Sequence, residues 1–159
     1  MAAISAGLLM CNICEGKLIF FLVHPGGPFY KNKHKGVWTI PKGIVNENEE
    51  RLVAAQREFF EETGIEPRGP YHSLGSARMK SGKEILVWTF VGEWEVASGI
   101  TSNTFELEWP PRSGKTMQVP EADQGRWMAY EEAAMYIHSS QKVFLDRAVT
   151  DRGLIFSLK

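Results

Sequence analysis

The stretch REFFEETGI, Arg57 to Ile65, places three glutamates within two turns of a predicted helix. Residues three and four positions apart are neighbours on a helix surface. Glu58, Glu61 and Glu62 therefore repel one another by about a few tenths of a kcal/mol per pair. Stability alone disfavours such crowding. The cluster indicates either an acidic face solvated by water or a positive partner that turns the repulsion into attraction.

The helix that contains this stretch is predicted over 49–63 and has two faces. On a wheel of about 100° per residue, the three glutamates fall in one arc, opposite an apolar sector. We expect this sector to be the buried face, and it consists of Leu52, Val53, Phe59, Phe60 and Thr63. Asn46 and Asn48 are the expected caps at the helix start, followed by acidic residues in the first turn. Gly64 is expected to end the helix.

Three carboxylates on one helix face match the ligand preference of a hard dication. Mg²⁺ binds carboxylate oxygens, water and substrate phosphates in near-octahedral geometry. Arg57 lies four residues before Glu61, where it can orient a neighbouring carboxylate through a charge-assisted hydrogen bond. Taken alone, the glutamates leave both a metal site and a solvated acidic face open.

The size and composition of the chain are those of one globular domain, expected to span 1–159, with 43% hydrophobic and 23% charged residues. Its 18 Lys and Arg nearly balance its 19 Asp and Glu, so the bulk charge favours no nucleic-acid partner and excludes none. No Lys or Arg precedes Lys17, and no apolar run reaches the roughly 20 residues of a membrane span. We therefore expect a cytoplasmic protein without a membrane partner.

The two cysteines of the chain are Cys11 and Cys14, in CNIC. A zinc site needs two further ligands, and the sequence offers no second CxxC and no HxxxH to supply them. We expect two reduced cysteines in a strand or a turn.

The order of predicted elements indicates a mixed fold. Strands are predicted at 4–13, 17–24, 71–79, 84–96 and 125–130, and helices at 131–138 and 141–149. Residues 97–123 are polar and Pro-rich and are expected to form a long loop that binds a ligand or covers a site. His24, at a strand end, is expected to serve packing or a turn. This order, without regular βαβ alternation, predicts an α/β or α+β sandwich.

The segment GIVNENEERLVAAQREFFEETGI, residues 43–65, resembles the Nudix box. It matches Gly-x5-Glu-x7-Arg-Glu-U-x-Glu-Glu-x-Gly-U, with U apolar, at every fixed position. The stretches HPGGPF, WTIPKG and EWPPRSGK also resemble small bacterial Nudix pyrophosphohydrolases of the MutT-like type. The resemblance implies a Nudix fold, an α/β/α sandwich with a mixed β-sheet. It also implies metal-dependent hydrolysis of a pyrophosphate bond in a nucleoside diphosphate linked to another group, X.

The resemblance also implies which residues hold the metal. Glu58 and Glu62 resemble the main ligands of the box. Glu61 resembles a further ligand or a partner through water, and the backbone carbonyl of Lys42 resembles another ligand. The implied cofactor is Mg²⁺, which Mn²⁺ can replace.

The residues implied to support catalysis lie around these ligands. Arg57 and Glu49 resemble the pair that orients the catalytic carboxylates, and Gly43 opens the same motif. The predicted catalytic residues are Glu58, Glu61, Arg57 and Glu121. Many Nudix enzymes use one further glutamate outside the box as base or ligand, and Glu121, six residues before Trp127, is the candidate here. The competing candidates are Glu106 and Glu108, and an ordinary exposed loop acid is the alternative interpretation of Glu121.

Three lysines are predicted to contact the substrate. Lys42 precedes the box, and Lys35 belongs to the basic loop YKNKHKG, which can receive phosphates or simply be a surface loop. Lys80 lies in ARMKSGKE, a turn that also contains Arg78 and Lys83.

The expected partner is a small-molecule nucleotide: a nucleoside triphosphate, a dinucleoside polyphosphate or a similar nucleoside diphosphate derivative. The window 79–82, MKSG, lacks the Tyr or Pro that flags some Nudix subfamilies. Two alternatives stay open: a Nudix-fold sensor or scaffold without turnover, and a hydrolase acting on the 5′ end of RNA. The near-neutral charge together with the lack of an aromatic-basic groove signature makes the RNA alternative less attractive without excluding it. The oligomeric state, monomer or homodimer, is undetermined.

Overall fold

The structure, a computed structural model, describes residues 3–158. Within this range it contains eight strands and four α-helices. The strands are β1 (Ile4–Cys14), β2 (Lys17–Pro25), β3 (Lys42–Ile44), β4 (His72–Arg78), β5 (Glu84–Val91), β6 (Thr104–Glu108), β7 (Thr116–Pro120) and β8 (Ala122–Ala129). The helices are α1 (Arg51–Thr63), α2 (Tyr130–Tyr136), α3 (Lys142–Ala148) and α4 (Arg152–Ser157).

The main sheet has the strand order β4-β5-β1-β2-β8, and the short β3 pairs with the first half of β1. β1 and β5 run parallel, whereas every other pair in this sheet is antiparallel. The predicted α/β fold with a mixed sheet is thereby confirmed.

The two faces of the sheet bury different helices. Successive residues of a strand point to opposite faces. In β1, Leu8 and Met10 pack in a hydrophobic cluster with Phe59 of α1. Leu9 and Cys11 pack in the other cluster, which receives residues of α2, α3 and α4. The sheet is therefore covered on both sides, as an α/β/α sandwich requires.

The buried face of α1 differs from the predicted one. Val53 and Phe60, expected in the core, are each 49% exposed. The buried residues are Ala54, Ala55, Phe59 and Thr63. Alanine has no bulk beyond Cβ, so the alanine side of the helix can approach β1 closely and the larger Val53 and Phe60 remain outside. Because Glu62 lies next to Ala55 on the helical wheel, it turns toward the sheet.

Only the C-terminal end of α1 agrees with the prediction. The helix begins at Arg51, after an extended Glu50 that makes no side-chain capping bond, so the predicted caps Asn46 and Asn48 and the acidic first turn are wrong. The reason is an additional turn in the chain at Asn48, where φ is 65°. Gly64 ends the helix as predicted, with φ at 75° and its N–H donating to the Phe60 carbonyl at 2.7 Å.

The segment 97–123 is not the predicted long loop. It contains the antiparallel hairpin β6–β7, whose register runs from Thr104 opposite Pro120 to Glu108 opposite Thr116. The alternating sequences TFELE and TMQVP suit strands, and PPRSGK between them supplies the turn residues. The predicted strand 84–96 ends at Val91, β8 begins earlier than predicted, and α4 was not predicted.

The helices among residues 3–158 all lack the length and apolar character that crossing a bilayer requires.

Candidate functional site

Arg57 joins three carboxylates at the exposed side of α1. Its Nε and Nη2 donate to the two oxygens of Glu49 at 2.8 and 3.0 Å, which is a bidentate pair. Its Nη1 donates to Glu58 at 2.8 Å and to Glu61 at 3.0 Å. Nη2 also donates to the carbonyl of Ile44 in β3, at 3.1 Å. Arg57 therefore fixes the box helix to β3 and holds the predicted catalytic carboxylates in place.

These contacts affect the two neighbouring glutamates in opposite ways. The hydrogen bonds from Arg57 lower the pKa of Glu49 to about 2. The pKa of Glu58 is raised by its burial, although Arg57 opposes that shift. Glu49 is thus a permanent anion that positions Arg57, while Glu58 is a partly desolvated carboxylate that gains from further positive charge.

A polar cavity of about 350 Å³ lies where α1, β3 and the start of β8 meet. We call it the acidic cavity because three glutamates line it. Its lining residues are Ser5, Lys42, Gly43, Ile44, Glu58, Glu62, Lys83 and Glu121.

Glu62 is the most buried of these carboxylates. One of its oxygens accepts a hydrogen bond from the backbone N–H of Lys42, at 3.3 Å. Burial raises the pKa of Glu62 to about 8, the nearby Lys42 opposes the shift, and the carboxylates of Glu121 and Glu58 add to it. A bound cation would stabilise the charged form of a buried carboxylate that faces two others.

Glu121 is the single residue between β7 and β8, and it lines the acidic cavity. Its backbone N–H donates to the carbonyl of Asn103 at 2.8 Å, and its carbonyl accepts from Gly26 at 3.3 Å. The structure therefore brings this glutamate from outside the box together with Glu58 and Glu62. Its competitors Glu106 and Glu108 lie on the hairpin strand β6 and do not line the cavity.

Gly43 provides the space for Glu58. A Cβ atom built on Gly43 would overlap the carboxylate group of Glu58. Glycine is therefore required here because the Glu58 side chain approaches the backbone closely. The φ angle of Gly43 does not lie in the left-handed region, so the backbone conformation does not itself require glycine.

The remaining predicted site residues lie elsewhere. Glu61 faces Arg57 rather than the acidic cavity, and its side chain is 35% exposed. Lys35 and Lys80 are exposed and do not line the cavity, so their predicted substrate contacts gain no support from this placement. Lys83, from the same turn as Lys80, lines the cavity instead. Ser5 also does, and it carried no signal in the sequence because it lies within an apolar strand.

The donor set of the acidic cavity fits a divalent metal. The carboxylates of Glu58, Glu62 and Glu121 and the backbone of Lys42 offer hard oxygen ligands, which Mg²⁺ and Mn²⁺ prefer. Between residues 3 and 158, no three acidic, His or Cys side chains converge on one point as ligands do. Glu58 and Glu61 instead accept hydrogen bonds from Arg57.

Comparison with known proteins identifies the family. A family model described as the NUDIX domain matches residues 1–148. The chain belongs to the NUDIX family. The expected membership of the Nudix family is thereby confirmed. The acidic cavity contains residues from both ends of the Nudix box.

Curated relatives of this Nudix protein match it over part of their length. An RNA pyrophosphohydrolase from Bartonella henselae is 38% identical over 65 residues, which cover 38% of this chain and 35% of that protein. A CMP-5'-(N-acetyl-N-hydroxy-3-aminopropyl)phosphonate hydrolase from Streptomyces rubellomurinus is 26% identical over 115 residues, which cover 70% of this chain and 47% of that protein. The chain thus spans less than half the length of either relative.

A solved structure shares the fold. The NUDIX domain of NrtR from Shewanella oneidensis, determined in complex with ADP ribose, superposes with a TM-score of 0.62. The sequences are 14% identical, and the match covers 94% of this chain and 87% of that one. The similarity supports the Nudix fold over the matched 94% of this chain.

Proposed function

We propose that this Nudix protein hydrolyses a pyrophosphate bond in a nucleoside diphosphate linked to another group, X, and that it needs Mg²⁺ or Mn²⁺ to do so. The observation that carries the proposal is that Glu58, Glu62 and Glu121 line one polar cavity, to which an intact Nudix box contributes. Two curated relatives are themselves hydrolases, one of them a pyrophosphohydrolase.

In this proposal each residue has a separate task. Glu58, Glu62 and the Lys42 carbonyl hold the metal, with Glu61 as a further ligand through water. A divalent metal bound there activates water and neutralises phosphate charge. Arg57, fixed by Glu49, keeps Glu58 oriented through the 2.8 Å hydrogen bond described above. Glu121, an exposed residue that lines the acidic cavity, accepts a proton from the attacking water in this proposal.

A panel of nucleotides tests this proposal. The purified protein is incubated with nucleoside triphosphates, dinucleoside polyphosphates, nucleoside diphosphate sugars and 5′-triphosphorylated RNA, with Mg²⁺, with Mn²⁺ and with a chelator. We expect metal-dependent release of a nucleoside monophosphate or diphosphate from at least one small nucleotide. Metal-dependent binding of nucleotides without turnover would instead favour the alternative of a Nudix-fold sensor or scaffold.

RNA is the second candidate substrate, because one relative is an RNA pyrophosphohydrolase at 38% identity over 65 residues. RNA binding depends on contacts between cations and phosphates and weakens steeply with salt. Salt-dependent binding of 5′-triphosphorylated RNA, together with hydrolysis of its 5′-triphosphate, would favour this candidate. Turnover confined to small nucleotides would exclude it.

The domain boundaries, the cellular location and the oligomeric state are further proposals. We propose one domain over 1–159, which the burial of Leu154 of α4 in the main core supports. A cytoplasmic location is proposed on the basis of the nucleotide substrate. Size-exclusion chromatography with light scattering distinguishes the monomer from the homodimer.

A further inference from the structure

Lys83 is a cation on the wall of the acidic cavity that the proposed mechanism does not use. It lines the cavity together with Glu58, Glu62 and Glu121. The other lysine of this wall is Lys42. Its positive charge lowers the pKa of Glu62, and its backbone N–H donates a hydrogen bond to the Glu62 carboxylate. Within the described range 3–158, Lys83 forms no salt bridge with any carboxylate.

The main chain holds Lys83 at this place. The turn before it is closed by the N–H of Gly82 donating to the Met79 carbonyl at 2.9 Å. The N–H of Met79 donates to the Lys83 carbonyl at 2.7 Å. Directly after it, β5 begins with Glu84 opposite Ile4 of β1. The backbone of Lys83 is therefore fixed on both sides, while the residue itself is exposed to solvent.

Lys83 and Lys42 reach the acidic cavity from opposite sides of β1. Lys42 belongs to β3, which pairs with β1 on one side, and Lys83 precedes β5, which pairs with β1 on the other. Both line the cavity together with Glu58 and Glu62, so a phosphate chain bound in this cavity can contact a lysine from either neighbour of β1. An ammonium group on a flexible stem is a mobile point charge suited to a phosphate oxygen.

We propose that Lys83 is a specificity-determining residue that binds a phosphate of the group X, beyond the bond that is cut. This inference rests on the proposed function and deepens it. Lys83 stabilises substrates whose X group carries phosphate, such as nucleoside triphosphates and dinucleoside polyphosphates. It contributes little to a nucleoside diphosphate sugar, whose X group is uncharged.

Lys17 offers a control of the same charge. It begins β2, is exposed and does not line the acidic cavity. Neutralising Lys17 changes the net charge by the same amount as neutralising Lys83. Any difference between the two variants therefore reports the location of the charge and not the overall charge of the protein.

The test compares Lys83→Gln, Lys17→Gln and Lys83→Arg with the unmodified protein, using a nucleoside triphosphate and a nucleoside diphosphate hexose. We expect Lys83→Gln to lower kcat/KM for the triphosphate about tenfold, chiefly through KM, because a charged hydrogen bond is lost. Turnover of the hexose derivative should stay within about twofold. Lys17→Gln should behave as the unmodified protein, and Lys83→Arg should keep most of the activity because the charge is retained.

Two results would overturn the inference: equal losses on both substrates, or no loss with Lys83→Gln. Its failure is distinguishable from failure of the proposed function. If the unmodified protein hydrolyses no nucleotide of the panel described under the proposed function, the proposed function fails. Calorimetric binding of an α,β-methylene nucleoside triphosphate then still decides about Lys83, with about tenfold weaker binding expected for Lys83→Gln than for Lys17→Gln.

Discussion

Gly43 and Glu58 depend on each other for space. The Glu58 carboxylate occupies the volume that a methyl group on residue 43 would need, and Arg57 holds that carboxylate from the other side at 2.8 Å. A side chain at position 43 must therefore push the Glu58 carboxylate away from Arg57 or out of the acidic cavity.

Gly43→Ala is predicted to lower kcat by about 100-fold, since a displacement of about 1 Å at a catalytic group has effects of this size. The free energy of unfolding should change by less than about 1 kcal/mol, because the displaced atoms are the mobile end of one side chain. Steady-state kinetics and urea denaturation measure the two quantities. An active variant, or one that loses activity only by unfolding, would disprove this role of Gly43.

At the residue scale, sequence spacing predicted the members of the box but not all of their surroundings. Glu58 and Glu62 were predicted together from the motif, and Glu121 was chosen only by its place before a late strand. Between Lys80 and Lys83, the sequence offered no means of choice, because both lie in one polar turn. The direction of a side chain in a turn depends on the local hydrogen bonds, which spacing alone does not fix.

Among the elements, the loop 25–36 is attached to the sheet through His24, the penultimate residue of β2. His24 is 2% exposed, and both its ring nitrogens are hydrogen-bonded. Nδ1 lies 2.8 Å from a carboxylate oxygen of Asp123 in β8, and Nε2 lies 2.6 Å from the carbonyl of Lys33 in the loop. His24 thus connects the loop to β8, which agrees with the packing role expected for it.

His24→Ala is predicted to destabilise the protein by about 2–3 kcal/mol, because it removes a buried ring and leaves two oxygens without their partner. His34→Ala is the matched control. Its ring lies 5.1 Å from that of His24, but the residue is exposed, so we expect a change within about 1 kcal/mol. Chemical denaturation of both variants measures this difference, and equal destabilisation would show that the connection through His24 is unimportant.

The errors of prediction at the element scale have two physical causes. For α1, the helical wheel predicted the buried face from hydrophobicity alone, and it placed Val53 and Phe60 there. Close approach to β1 instead favours the small Ala54 and Ala55. For 97–123, the polar composition concealed the hairpin β6–β7, because strands with exposed residues on both sides carry little apolar signal. The apolar strands of the main sheet, such as β1, β2 and β5, were predicted correctly in kind.

The whole molecule explains why three repelling glutamates are tolerated on α1. The helix divides them: Glu61 faces Arg57, and Glu62 turns under β3 into the acidic cavity. Glu58 lines the same cavity and also accepts a hydrogen bond from Arg57. The sheet then brings Glu121 and Lys83 to the same cavity from two distant parts of the chain. That these residues meet depends on the strand order, which the spacing of residues did not reveal.

The measurement that tests the account most directly is the metal-dependent turnover of Glu62→Gln, with Glu106→Gln as the control. Glutamine keeps the size of the side chain and removes the charge that holds a cation. We expect Glu62→Gln to fold normally, as judged by circular dichroism, and to lose at least about 100-fold in kcat at saturating Mg²⁺. Glu106, on the exposed strand β6, should tolerate the same change without loss. Unimpaired metal-dependent hydrolysis by Glu62→Gln would contradict the assignment of the acidic cavity as the catalytic centre.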